Sequence, residues 1–153
     1  MKRLALYVLI LALVWLVPVQ STDVAKLQPV EVIAIYQTED TVYLLTDTGD
    51  YGVGKDALTA LANMKQTSLG VIYLDTAEYL LIGEGAHSAT EQLRQELKPF
   101  VMLCEVAGKV DLVQVAKYLD VHGKLPHLRN WHGKKTLPIL AAQNGRMTLQ
   151  KNK

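Results

Sequence analysis

The chain has 153 residues, half of them apolar, and a formal net charge of +1. This composition excludes a disordered chain, and the length suits a targeting segment followed by one domain rather than two. Cys104 is the only cysteine, which excludes an intrachain disulfide and a cysteine zinc cluster.

The first segment carries the clearest signal. Lys2 and Arg3 precede an uncharged apolar run from Leu4 to Val19, with Leu9 and Leu13 at its centre and Trp15 near its end. Cations followed by an apolar stretch mark a membrane-targeting segment. The run has sixteen residues, while a spanning helix uses about 20, so residues 1–21 read as a signal peptide or a signal anchor. Tyr7 and Trp15 suit the interface of an anchor, and Val19 and Ser21 suit a cleavage site before Thr22. The expected location is therefore membrane-anchored with the domain outside the cytoplasm, or secreted after cleavage near Ser21.

Residues 22–29 read as a polar linker and residues 30–153 as a single α+β domain. Val30–Tyr36 and Thr41–Thr46 have strand character, with a turn at Glu39-Asp40. Tyr51–Gly54 is a short third strand or an extended loop. Asp56 caps a helix to about Lys65 whose apolar face is Ala57, Leu58, Leu61, Ala62 and Met64. Strands follow at Val71–Leu74 and Tyr79–Ile82. A helix starts near Ser88 and runs to about Leu97, before Pro99. Phe100–Val106 predicts a strand buried on both faces, with Cys104 as a small hydrophobe within it. Val110 to about His122 predicts a third helix, and Gly123–Lys135 an irregular stretch or short helix. Asn144-Gly145 joins Leu137–Ala142 to Arg146–Leu149 in a hairpin, because both residues tolerate positive φ. The sum is a mixed β-sheet with about three helices packed on one side of it, preceded by the N-terminal hydrophobic helix.

Charge is unevenly distributed. Residues 22–108 carry five Lys/Arg against thirteen Asp/Glu, and residues 109–153 carry nine against two. The two parts attract each other within one fold, or the basic part, including Lys124, Arg129, Lys134 and Lys135, contacts an anionic surface. The acidic body argues against nucleic acid as a partner.

Motifs that carry chemistry are sparse. Leu44-Leu45-Thr46-Asp47-Thr48-Gly49 resembles the loop of aspartic proteases, but that chemistry needs two such carboxylates and the chain has one. A turn explains the tripeptide. His122, His127 and His132 recur every five residues, a wider spacing than helical zinc pairs use, so no metal is expected. Trp131 reads as a core anchor, with an interfacial residue at a membrane as the alternative. Gly52-Val53-Gly54-Lys55 lacks the spacer of a phosphate loop, and His87-Ser88 lacks a nucleophile elbow. No cofactor is implied. A small hydrolase would need distant residues, such as Asp47, Glu84 and a histidine, brought together by the fold.

From Lys55 to about His122 the order of pieces resembles the N-terminal domain of the spore germination GerC family, the C subunit of germinant receptors. The residues that carry it are the helix at Asp56–Leu61, the strand Val71–Asp75, the run Tyr79-Leu80-Leu81-Ile82-Gly83-Glu84-Gly85-Ala86 entering a helix, and Val101–Val106 followed by Gly108. The family's lipid-accepting cysteine is replaced here by Ser21-Thr22. The resemblance implies a non-catalytic, membrane-associated module, with another membrane protein as a possible partner, and supplies no site residues.

Overall fold

The computed structural model describes residues 26–132, 136–143 and 146–150. Lys2, Arg3, Leu4, Leu9, Leu13 and Trp15 lie outside the described residues, as do Lys134, Lys135 and the Asn144-Gly145 turn.

Among the described residues the fold is α+β, a seven-stranded mixed sheet with three α-helices. In chain order the elements are β1 (Leu27–Pro29), β2 (Val32–Thr38), β3 (Thr41–Thr46), β4 (Tyr51–Gly54), α1 (Ala57–Thr67), β5 (Val71–Tyr73), β6 (Tyr79–Ile82), α2 (His87–Gln92), β7 (Met102–Ala107), α3 (Leu112–His122), β8 (Ile139–Gln143) and β9 (Arg146–Gln150). The sheet order is β4-β3-β2-β6-β7-β8-β9. The four central strands β2, β6, β7 and β8 are parallel, and antiparallel strands close both edges. Parallel strands covered on both faces read as continuous apolar runs. Tyr79-Leu80-Leu81-Ile82 is accordingly buried at every position.

The expectation of helices on one side is corrected. Leu80, Ile82 and Leu103 face α1 and α2, in a core with Ala60, Leu61, Met64, Ala89 and Leu93. Leu81, Cys104 and Val106 face α3, in a second core with Val115, Ala116 and Leu119. The strand period of two sends neighbouring residues to opposite faces, so an all-apolar strand demands cover on both. The connection from β7 to β8 then visits both sides: Leu125 joins the α3 core, while Leu128, Trp131 and Leu137 join the other.

Several boundaries also differ. The end of the linker, Leu27–Pro29, is a strand paired in parallel with β5, apart from the main sheet. The Asp56 cap forms as expected, its carboxylate accepting from Thr59 N at 2.7 Å. Helix α1 buries Ala57, Ala60, Leu61 and Met64. Leu58 and Ala62 are exposed, because the true face follows the i, i+3, i+4, i+7 series from Ala57. Phe100 is exposed ahead of β7, and the helix begun near Ser88 ends at Gln92 in a 3₁₀ turn, Leu93–Gln95. Trp131 is 1% exposed, so it is the core anchor expected.

Gly52 is explained by packing. A Cβ there would overlap the backbone of Ala60 and approach Met64 N at 2.9 Å. Strand β4 thus lies directly on the backbone of α1, an approach only glycine permits.

Candidate functional site

The site follows from the chain path. Strands β6 and β7 are parallel neighbours. The chain leaves β6 to form α2 on one face and leaves β7 to form α3 on the other. Connections that part in this way leave a crevice beyond the carboxyl ends of the two strands, the usual ligand position in parallel sheets.

The crevice is present. A cavity of about 290 Å³ is lined by Gly83, Glu84 and Gly85 after β6, His87 at the start of α2, Glu105 to Ala107 on β7, and Ile139 on β8. A second, of about 380 Å³, shares Glu84 and Val106 and adds Tyr36, Thr38, Gly108 and Lys109. A third, of about 560 Å³, shares Tyr36, Thr38 and Lys109 and continues over Tyr43, Leu45, Val110 and Leu112. Shared residues make the three cavities neighbours, running from the carboxyl ends of β6 and β7 onto the exposed face of β3.

Local structure sets each side chain. Gly83 must be glycine, since a Cβ there would lie 2.5 Å from Tyr36 Cδ1 and 3.0 Å from Ile35 O. The Tyr36 ring therefore rests against the turn that carries Glu84. Its hydroxyl reaches Gly108 O at 3.5 Å, and burial pushes the phenol above its ordinary value. His87 Nε2 lies 3.3 Å from Glu105 Oε1. The His87 ring stands 6.0 Å from that of Trp131. Both His87 Nδ1 and Trp131 Nε1 are buried without a hydrogen-bond partner among the described residues.

Two carboxylates, an imidazole and an ammonium group thus line a groove with an apolar, tyrosine-bearing extension. The extension continues as an exposed sheet face. Tyr43 and Leu45 on β3 pair with Val53 and Tyr51 on β4, and all four are exposed. Such a surface suits recognition through a polar anchor and an apolar contact. Among the described residues no hydroxyl or thiol is hydrogen-bonded to His87 in the manner of an activated nucleophile. Cys104 is fully buried, and burial pushes its thiol up to about 12.

The residues singled out by sequence are dispersed. Asp47 lies at the other end of the sheet, where its carboxylate accepts from Glu31 N at 3.2 Å and Val32 N at 3.3 Å. It caps the start of β2, as a turn residue does, and does not converge with Glu84 and His87. His122 packs against Tyr118, and His127 Nδ1 sits 2.7 Å from Phe100 O. Lys124 and Arg129 are exposed, and Arg129 lies over the Phe100 ring at 4.8 Å. Glu105, Lys109 and Tyr36 were not singled out by the sequence. The signal for them is topological: they matter because α2 and α3 depart on opposite faces.

Comparison with protein-family models, with curated proteins and with solved structures returns no match for this chain.

Proposed function

We propose that this chain is a non-catalytic binding or assembly module, held at a membrane by its N-terminal apolar segment with the domain outside the cytoplasm. The observation that carries the binding role is the groove at the β6–β7 switch point, polar at Glu84, His87 and Glu105 and apolar toward Tyr43 and Leu45. The membrane role rests on Lys2-Arg3 and the apolar run Leu4–Val19. Among the described residues no helix is long and apolar enough to cross a membrane, so the anchor in this reading is the N-terminal run alone.

The reading extends to a GerC-like role in a germinant-receptor assembly. In its favour, the run Ile82-Gly83-Glu84-Gly85-Ala86 ends a central strand and leads into α2, the strand-to-helix order on which the resemblance rests. A partner that is itself a membrane protein fits a tethered module of this size.

Photocrosslinking from position 109, within the full chain expressed in membranes, tests the proposal. A specific cross-linked protein in the membrane fraction is the expected result. Recovery of only the uncross-linked chain, shortened and soluble, would sink it.

A further inference from the structure

The two ends of the sheet are chemically different, and the chain enters at one of them. Strands β2, β6, β7 and β8 are parallel, so their first residues share one end. The described chain begins there, at Lys26 before β1. Six residues, Gln20 to Ala25, separate Lys26 from Val19, a reach of roughly 25 Å at full extension. If Leu4–Val19 is the anchor, this end of the domain cannot stray far from the bilayer.

That end exposes apolar side chains that no described residue buries. Leu69 is 102% exposed, Phe100 59% and Val71 46%. Val71 is the register partner of Leu27, next to the entry point. Phe100 precedes β7, and the bridge between Met102 and His127 brings the Lys124–Arg129 loop to the same end. Lys26, Lys124 and Arg129 are all exposed there.

We propose that this end of the domain lies on the bilayer surface, with Leu69, Val71 and Phe100 in the interface and Lys26, Lys124 and Arg129 on anionic headgroups. The inference rests on the anchor reading above. Glu31 and Glu78 immediately precede β2 and β6 at the same end, and Asp120 and Asp47 stand close enough to raise the Glu31 carboxyl beyond the rise from burial, so net charge opposes the contact rather than driving it. Apolar insertion drives it, with cations placed locally and the tether raising the effective concentration. The consequence is orientation: the groove, at the opposite ends of the same strands, faces away from the membrane.

The test uses the full chain in phosphatidylcholine–phosphatidylglycerol vesicles containing nitroxide lipids. A fluorophore is attached through Leu69→Cys, Phe100→Cys or Thr38→Cys; native Cys104 is buried. Quenching at positions 69 and 100 severalfold above that at 38 is expected, and Lys124→Glu with Arg129→Glu should lower it at 100. Equal quenching at all three positions, with the chain retained on the vesicles, overturns the docked orientation alone. Loss of the chain on alkaline washing overturns the anchor reading, and the orientation with it.

Discussion

His87 Nε2 stands 3.3 Å from Glu105 Oε1, joining the start of α2 to strand β7 across the point where the sheet's connections part. Both side chains are partly solvated, at 41% and 26%, so the pair contributes little to stability. Exposed pairs of this kind are worth about 0–1 kcal/mol. The contact therefore shapes the groove more than it holds the fold. Glu105→Gln should leave the urea midpoint nearly unchanged while weakening photocrosslinking from position 109. A large fall in the midpoint would show the pair to be structural.

Trp131 makes the opposite case. It is buried where Leu128 and Leu137 meet the α2 core, and Arg94 donates to its carbonyl. Trp131→Ala should cost about 3–5 kcal/mol, the range for emptying a large aromatic site. Chemical denaturation followed by circular dichroism measures it. A cost well below that would mean the segment after α3 is not integral to the core.

Gly83→Ala should destabilise by about 1–3 kcal/mol, as overpacking does, because the new methyl meets the Tyr36 ring and Ile35 O. Combining it with Tyr36→Ala should recover part of the loss, leaving only the carbonyl contact. Equal losses with and without the Tyr36 ring would contradict the close approach.

Alkaline pH should destabilise the domain. Cys104 is held protonated to about 12 from an ordinary 9.0. Tyr79 is pushed up as well, by burial first and then by Asp120, whose carboxylate accepts its hydroxyl at 2.9 Å. Both groups ionise more readily unfolded than folded. Their contribution is intact below the unfolded values and is lost as pH rises beyond them. For the thiol this loss amounts to about 1.4 kcal/mol per pH unit, over the window from 9.0 to about 12. Denaturation midpoints across that window check the slope, and Cys104→Ala should make it shallower. In native protein at neutral pH the thiol should resist alkylating reagents until the chain unfolds.

Much of this fold was legible residue by residue. The Asp56 cap, the strand Thr41–Thr46, the run Tyr79–Ile82 and the burial of Cys104 follow from local pattern, and each formed as read. What escaped was relational. An apolar run such as Leu80-Leu81-Ile82 announces burial but not which helix covers which side. The position of α3 on the far face is set by the path after Ala107, and no single residue encodes it. The groove depends on that choice, so Glu105 and Lys109 could not be distinguished from ordinary surface charges. Leu27–Pro29 escaped for a related reason: a three-residue strand is defined by its partner, β5, rather than by its own composition.

The central claim, a domain held at a membrane outside the cytoplasm, is tested most directly by labelling Thr38→Cys in intact cells with a membrane-impermeant thiol reagent. Thr38 lies exposed at the groove. The chain recovered from the membrane fraction should be labelled without permeabilisation. Labelling that appears only after the membrane is broken would contradict the account.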